Sequence, residues 1–193
     1  MPQRYSGSMS RIQYFVAASI DGFIATTKDD LAWLLKFDGF EGGKESYETF
    51  MAGVGCIVMG GETFAWLMAH ESGNWPYPST PCYVFTRHEH VAPAGTDITF
   101  VRGPVQEFIP DFKDRAGGMN VWVVGGGMLA AQFVDAGLLD ELILSVIPVV
   151  LGEGKRLLPL QSPTTPLELT ASHTLGRGIV ELRYNFNSAG PAR

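Results

Sequence analysis

The sequence predicts an α/β fold in which a mostly parallel central sheet is flanked by helices and carries an antiparallel hairpin at its C-terminal edge. Short apolar runs of strand type alternate with helical patterns along most of the 193 residues. The last two patterned segments instead alternate apolar with polar residues, as the strands of a hairpin do. Hydrophobic residues make up 46% of the chain and charged residues 18%, so a large core can be buried.

The first half of the chain predicts four strands and three helices. The strands are continuous apolar runs bounded by turn residues, at 12–19, 54–59, 82–86 and 98–101. A helix opening near Asp29 is expected because two acids precede Leu31, Trp33 and Leu34 at helical spacing. Weaker helical patterns follow at 45–52 and 62–68, and the three prolines of 74–81 predict a loop.

The second half continues the alternation and then changes character. A helix is predicted at 106–115, a strand at 121–124, a helix at 127–136 and a strand at 142–150. The segments 167–173 and 179–186 predict the antiparallel hairpin, turned around Gly176 and Gly178.

The bulk composition bounds the domain organisation and the partners. We interpret residues 1–8 as an extension or disordered segment, 9–187 as a single domain and 188–193 as a tail. The net charge of −6 argues against a nucleic-acid partner. No apolar run approaches the roughly 18 residues of a membrane helix, and no secretion signal precedes the domain, so we expect a cytoplasmic protein. Cys56 and Cys82 lie in apolar runs and are expected to be buried, reduced thiols.

The strongest local signal for a ligand site is the stretch VWVVGGGMLAAQF at 121–133. Three glycines between a strand and a helix allow a ligand close to the backbone, and the helix start offers unpaired N–H groups to an anion such as a diphosphate. The stretch also matches the Rossmann fingerprint, but the following strand lacks the acid that such a domain uses to hold the ribose. A tight turn without a ligand is the other alternative.

Two further site types find little support in the sequence. The run His88-Glu89-His90 suggests a metal site, but no other residues nearby have ligand spacing, so no metal is expected. Neither the nucleophile motif G-x-S-x-G nor the phosphate-loop motif G-x-x-x-x-G-K-[ST] occurs.

Five segments together resemble the dihydrofolate reductase-like superfamily, most closely the reductase domain of riboflavin-biosynthesis deaminase–reductases. They occur in the family's order and are VAASIDGFIA (16–25), IVMGGETF (57–64), YVFTR (83–87), VVGGGMLAAQF (123–133) and LDELILSVIPVVLGEGKRLL (139–158). The resemblance implies a reductase that uses NADPH and forms a homodimer. It also implies a cis peptide bond between Gly125 and Gly126.

The resemblance implies cofactor contacts at four places along the chain. Ala17, Ile24 and Ala25 would meet the nicotinamide, and Gly60, Glu62 and Thr63 the diphosphate and adenosine. Thr86 and Arg87 would flank the adenosine 2′-phosphate; Thr63 as a mere helix-packing residue and Arg87 as a solvated strand end are the alternatives. The residues implied around the glycine loop are Val124, Gly125, Gly126, Gly127, Met128, Leu129 and Gln132.

The substrate and its proton donor are less well defined by the resemblance. Asp30 begins the tetrapeptide DLAW, which resembles the helix carrying the acid of dihydrofolate reductases, so Asp30 is a candidate general acid. An ordinary helix-start acid is the alternative. Ser19, Asp21 and Trp33 are candidate substrate contacts, although Ser19 and Asp21 could instead simply form a turn.

Departures from the family patterns leave the reaction open among three alternatives. Riboflavin-pathway reductases often carry Glu where Val124 stands, and dihydrofolate reductases carry Arg where Gly61 and Met128 stand. We therefore expect an NADPH-dependent reductase that transfers hydride to a small heterocyclic or conjugated substrate, like 5-amino-6-(5-phosphoribosylamino)uracil reductase. The alternatives are dihydrofolate reductase proper and a non-catalytic nucleotide-binding module of the same fold.

Overall fold

The structure is a computed structural model that describes residues 10–71 and 74–186. The expected extension at 1–8 and tail at 188–193 lie outside these residues, as do the two ends of the expected domain, residues 9 and 187. Within the described residues no helix is long and apolar enough to cross a membrane.

The main sheet has eight strands, six of which are parallel. The strands of the chain are β1 Ile12–Ser19, β2 Phe23–Ala25, β3 Val54–Gly60, β4 Cys82–Phe85, β5 Ile98–Val101, β6 Asn120–Gly125, β7 Glu141–Ile147, β8 Lys155–Arg156, β9 Glu168–Thr174 and β10 Val180–Asn185. Their order in the main sheet is β5-β4-β3-β6-β1-β7-β10-β9, with β10 antiparallel to both neighbours. The predicted fold class, with its antiparallel C-terminal edge, is confirmed.

Five helices cover the two faces of this sheet. They are α1 Ala32–Leu35, α2 Gly43–Met51, α3 Gly61–His70, α4 Ile109–Arg115 and α5 Gly127–Asp135. The even-numbered residues of β1, Ile12 and Tyr14, belong to a core with Phe112 of α4 and Phe133 of α5. On the other face Phe15 packs with residues of α2 and α3, such as Phe50 and Phe64. The alternation along β1 therefore separates the two helical layers.

The observed boundaries differ from the predicted ones where single residues restrict the backbone. The helix expected near Asp29 begins only at Ala32, because Asp29 has a left-handed φ of 59°. The helix expected at 106–115 is a 3-10 turn at Val105–Phe108 followed by α4, with Pro110 in the first helical turn, where no N–H is required. Strand β7 ends at Ile147 because Pro148 cannot donate to the ladder.

A second, two-stranded sheet was absent from the sequence prediction. Strands β2 and β8 pair antiparallel, with Ala25 opposite Lys155, and Leu157 N donates to Gly22 O at 2.9 Å. Both strands are too short to show a periodic pattern. Their pairing brings the loop after β7 back to the end of β1.

Candidate functional site

The carboxyl ends of the parallel strands lie along one edge of the sheet, here called the carboxyl edge. It is formed where β1, β3, β4, β6 and β7 end, at Ser19, Gly60, Phe85, Gly125 and Ile147. Ligands of open α/β sheets bind outside such an edge, because the loops and helix starts there are free to shape a crevice.

The glycine loop joins β6 to α5 at the centre of the carboxyl edge. The Gly125–Gly126 peptide bond is cis, which confirms the prediction made from the resemblance, and Gly125 has a φ of 136° that favours glycine. A Cβ added at Gly126 would lie 3.9 Å from Thr63 Oγ1 and touch nothing closer. Gly125 and Gly126 therefore form a strip of backbone without side chains, directly opposite Thr63, that is half-buried at Gly126.

The third glycine of the loop has a different role. A Cβ at Gly127 would overlap the carbonyl oxygen of Arg156 and lie 2.8 Å from that of Leu157. This glycine lets the segment after β8 pack against the start of α5. The N–H groups of the first helical turn, at Gly127 and Met128, have no carbonyl partner within the helix and remain available to an acceptor.

The start of α3 lies beside the glycine loop. A Cβ at Gly60 would be 3.7 Å from both Gly125 O and Gly126 N, so the ends of β3 and β6 approach closely. Gly61 packs in turn against the next strand, since a Cβ there would be 2.7 Å from Thr86 Oγ1. Gly60, Thr63 and the glycine loop, all predicted contacts, are thus brought together.

A cleft of about 460 Å³ opens at the carboxyl ends of β4 and β5. Its lining includes Thr86, His90, Phe100 and Arg102. Thr86 Oγ1 accepts a hydrogen bond from His88 N at 3.0 Å and lies 3.1 Å from His90 Nε2. Thr86 therefore belongs to the lining of the cleft, and its contact with a 2′-phosphate stays a prediction.

Two arginines stand at this end of the sheet. Arg87 is exposed, and its carbonyl accepts a hydrogen bond from Arg102 Nη2 at 3.0 Å. The sequence analysis missed Arg102, although it directly follows a strand predicted at 98–101. The common direction of parallel strands was the signal that could have found it.

The residues expected around the nicotinamide lie at the other end of the carboxyl edge. Ala17 is half-buried in β1, and Ile24 and Ala25 form β2, where Ala25 pairs with Lys155. On the sheet face that carries α1 and α2, Ala17 is level with Ser145 of β7, and Ser145 with Glu181 of β10. The predicted residues are brought to one side of the glycine loop.

Lys155 was missed by the sequence analysis, yet it lies among the predicted cofactor residues. Its ammonium is 3.3 Å from Glu62 Oε2 and 3.3 Å from Asp29 Oδ1. Partial burial lowers the pKa of Lys155, but the hydrogen bonds and charges of Asp29 and Glu62 outweigh it and leave the pKa above its usual 10.5. In the sequence Lys155 follows two glycines in the run GEGK, and this run did not indicate that the lysine would pair with Asp29 and Glu62.

Ser19 and Asp21 are held by the turn that follows β1. Ser19 Oγ donates to Asp21 Oδ1 at 2.6 Å, and the carboxylate also accepts from Leu151 N at 3.1 Å and Gly152 N at 2.7 Å. The Ser19 hydroxyl, followed by these backbone N–H groups, lowers the pKa of Asp21 to about 2. The geometry supports the alternative in which these residues form a turn rather than contact substrate.

Asp30 has the geometry of a helix-start residue. It is exposed, and its Oδ1 accepts from Ala32 N at 2.8 Å at the first residue of α1. Trp33 is buried with Ile147 and Ile179, beside Ala17, and its Nε1 has no hydrogen-bond partner within the described residues. The structure therefore supports the helix-start alternative for Asp30 and places the Trp33 side chain on the buried side of α1.

Not every implied contact around the glycine loop faces the carboxyl edge. Leu129 is buried among core residues on the α5 side, and its N–H donates to Gly126 O at 3.0 Å. Helical periodicity turns the Leu129 side chain toward the core, so a contact of this residue with the cofactor stays a prediction from the resemblance. Val124 also packs into the core, whereas Met128 and Gln132 are exposed on one side of α5.

Aromatic side chains cover the sheet on the α2 face, below the level of Ala17. Tyr47 of α2 lies edge-on to Trp122 at 6.2 Å between ring centroids, and Tyr77 does so at 5.6 Å. Phe15 of β1 contacts Tyr47 at 6.3 Å. Beside them Glu181 is buried and accepts hydrogen bonds from Ser46 and from Arg183 Nη2, the latter at 3.1 Å. These ring contacts stabilise the packing of α2 on the sheet.

The chain matches one described protein family over most of its length. The RibD C-terminal domain matches residues 10–181. Among curated proteins, the uncharacterized protein YwjB of Bacillus subtilis is 32% identical over 176 residues, which cover 88% of this chain and 94% of YwjB. These matches confirm the resemblance drawn from the five segments.

Solved structures agree with the fold. A provisionally named riboflavin biosynthesis protein from Shewanella sp. PV-4 superposes with a TM-score of 0.75 at 26% identity, covering 91% of this chain and 98% of that one. A Thermotoga maritima diaminohydroxyphosphoribosylaminopyrimidine deaminase/5-amino-6-(5-phosphoribosylamino)uracil reductase superposes with a TM-score of 0.64 at 13% identity. The match covers 92% of this chain but 56% of the longer Thermotoga protein. At 13% identity it shows only that this chain shares the fold of the matched part of that protein.

Proposed function

The chain belongs to the RibD C-terminal domain family, and from this we propose that it is an NADPH-dependent reductase. Its substrate would be a small heterocyclic or otherwise conjugated compound that accepts hydride. We further propose, from the resemblance, that it acts in the cytoplasm as a homodimer. A particle mass in solution of twice 21.0 kDa would support the dimer, and a mass of 21.0 kDa would contradict it.

The observation that carries this proposal is the bare backbone strip at Gly125 and Gly126. An added Cβ at Gly126 would lie 3.9 Å from Thr63 Oγ1 and meet nothing closer, and the φ of −77° suits any residue, so neither packing nor the backbone requires glycine there. Gly125 differs, because its φ of 136° favours glycine. Gly127, by contrast, is required by its contact with Arg156. A glycine that the fold does not require at Gly126 fits a ligand that approaches the backbone closely, such as a diphosphate.

The surrounding residues fit the rest of a nicotinamide dinucleotide. Thr86 and Arg102 line the β4–β5 cleft and Arg87 adjoins it along the chain, so a hydroxyl and two guanidinium groups would be near a 2′-phosphate bound there. Ala17 and Ala25 leave room for a flat ring beside the end of β1. Bound NADPH supplies the hydride; the chain orients the ring against the substrate and excludes water.

The position of Asp30 supports the alternative that the chain is a non-catalytic nucleotide-binding module. The carboxylate of Asp30 is engaged with Ala32 N, so the first helix presents no acid to the sheet face on which substrate would lie. A reductase would then take its proton from another group or from water. A module that binds the cofactor without reducing anything has the same geometry.

Cofactor binding is tested first, by calorimetric titration with NADPH. We expect wild-type protein to bind saturably at micromolar order and Gly126→Ala to bind at least about tenfold more weakly, because the methyl group fills the strip. The φ of −77° at Gly126 suits alanine, so the variant should fold. The matched control is Gly53→Ala at the amino end of β3, where the added Cβ meets only ordinary contacts. Failure of folded wild-type protein to bind would refute the proposal.

Turnover is tested second, by following NADPH oxidation with a panel of acceptors. Pyrimidines that include 5-amino-6-(5-phosphoribosylamino)uracil, dihydrofolate and quinoid compounds separate the three alternatives. Reduction of a pyrimidine or quinoid compound supports the main proposal. Reduction of dihydrofolate supports the alternative that the chain is a dihydrofolate reductase proper. Binding of NADPH with no oxidation across the panel supports the non-catalytic module.

A further inference from the structure

Lys155 is a cation enclosed by residues that were assigned to the cofactor for other reasons. It pairs with Ala25 in the two-stranded sheet, its ammonium reaches Glu62 at the start of α3, and the carbonyl of the next residue, Arg156, packs on Gly127. These three neighbours belong to three different parts of the predicted cofactor set. The lysine therefore lies between the start of α3 and the glycine loop.

The ammonium of Lys155 is held by two carboxylates that are themselves open to solvent. Its partners are two exposed carboxylates, Asp29 and Glu62, whose side chains are 54% and 85% exposed, and its own side chain is 41% exposed. Exposed ion pairs of this kind contribute little to stability and exchange readily for a better partner. Lys155 is thus positioned by its carboxylates without being buried by them.

We infer that Lys155 is the cation that binds the diphosphate of the dinucleotide. The inference rests on the proposed function and adds to it a positioning residue that acts on the part common to NADPH and NADH. In the free protein Asp29 and Glu62 hold the ammonium at the carboxyl edge. On binding, a diphosphate oxygen replaces one carboxylate, because a doubly charged diphosphate outcompetes a single exposed carboxylate for the same ammonium.

This role separates two subsites along the carboxyl edge. Arg87 and Arg102 lie at the β4–β5 end and would distinguish a ligand with a 2′-phosphate from one without it. Lys155 lies at the glycine loop and would bind both dinucleotides equally. A change at Lys155 must therefore alter affinity without altering the preference for NADPH.

The test is calorimetric binding of NADPH, NADH, ADP-ribose and adenosine 2′-monophosphate to wild type, Lys155→Met and Lys155→Arg. We expect Lys155→Met to weaken the first three ligands by a common factor of about ten, the lower end of a charge-assisted bond. Adenosine 2′-monophosphate, which has no diphosphate, should bind unchanged. Lys155→Arg should restore most of the affinity. Lys44→Met is the matched control, since Lys44 is exposed and pairs with Glu48 on α2.

Lys155 could instead act as a structural clamp that joins Asp29 to Glu62 without touching the diphosphate. The salt dependence of binding and a change at Asp29 distinguish the two roles. Affinity of wild type should fall more steeply with ionic strength than affinity of Lys155→Met, because one screened attraction has been removed. Asp29→Asn should bind NADPH at least as tightly as wild type, since it releases the ammonium, and asparagine tolerates the left-handed φ of 59°. A clamp would instead make Asp29→Asn as weak as Lys155→Met and leave the salt dependence unchanged.

The outcomes also separate this inference from the proposed function. If wild type binds none of the dinucleotides, both are overturned. If wild type binds them and Lys155→Met binds them equally, or loses only the ligands with a 2′-phosphate, the lysine assignment alone is overturned.

Discussion

At the scale of single residues, the side chain of Asp30 shows how a motif and its geometry can point to different roles. The tetrapeptide DLAW resembles the acid-bearing helix of dihydrofolate reductases, yet the carboxylate accepts Ala32 N at 2.8 Å and is exposed. A carboxylate at a helix start satisfies one of the N–H groups that the helix cannot pair. The bond to Ala32 explains the residue without any role in proton transfer.

We therefore predict that Asp30→Asn costs less than about 1 kcal/mol of unfolding free energy, because asparagine retains the oxygen that caps the helix. Turnover with any substrate found in the panel should stay within about twofold of wild type, against the 10²- to 10⁴-fold loss, roughly, that removal of a general acid causes. Urea denaturation and steady-state kinetics measure the two effects. Asp38→Asn, an exposed acid of the same segment, is the control. If turnover instead falls by roughly 10²- to 10⁴-fold while NADPH affinity is unchanged, Asp30 is the general acid.

At the scale of elements, the parallel direction of β4 and β5 puts two arginines at one end of the sheet. Arg87 follows β4 and Arg102 follows β5, and the two are joined by the hydrogen bond from Arg102 Nη2 to Arg87 O at 3.0 Å. Neither arginine has a carboxylate within ion-pair distance among the described residues. Both guanidinium groups thus have charge available for a phosphate.

The strand ends predict a preference for NADPH over NADH of about ten- to a hundredfold, the worth of a charge-assisted bond to phosphate. Arg87→Ala and Arg102→Ala should each reduce NADPH affinity and leave NADH affinity unchanged. The double variant should lose less NADPH binding free energy than the two single variants lose together, because both arginines would contact the same phosphate. Titration of both cofactors measures the ratio, and Arg115→Ala, whose arginine pairs with Asp97 on the surface, is the control. A variant that discriminates as wild type does would show that its arginine is only a solvated strand end.

At the scale of the whole molecule, the two thiols report on the integrity of the central sheet. Cys56 in β3 and Cys82 in β4 are free and fully buried in neighbouring strands. Burial raises the pKa of Cys56 to about 12 and raises that of Cys82 as well. A buried, protonated thiol is unreactive, since the thiolate is the nucleophile.

We predict that neither thiol reacts with a disulfide reagent at pH 8 in the native protein and that both react once the sheet unfolds. Burial raises the pKa of both thiols and so keeps them protonated at that pH, and the strands exclude the reagent as well. Labelling across a urea gradient should follow the loss of helical circular dichroism. Denatured protein provides the full-reactivity control, and labelling of native protein before any unfolding would show that β3 or β4 opens locally.

Much of this molecule could be predicted from local sequence pattern. Strands β1 and β5 begin and end where their apolar runs do, and the glycine loop lies between a strand and a helix as its spacing indicates. Burial on both faces requires continuous apolar runs, so the pattern of a parallel strand is present in the strand itself. The glycine strip could be found for the same reason, because missing side chains are stated directly by the sequence.

The sequence by itself therefore determined the fold class, the strand ends that form the carboxyl edge and the glycine loop within it. The tertiary structure decided which charged side chains meet there. Lys155 pairs with Glu62 across 93 residues of sequence, and Asp21 accepts N–H groups from Leu151 and Gly152 across more than a hundred. Contacts of this kind depend on where two-residue strands and irregular loops return to the sheet, and such segments are too short to carry a period. For the same reason the sequence did not predict the pairing of β2 with β8. The late start of α1 after Asp30 also depends on the left-handed conformation of Asp29, which the local pattern did not indicate.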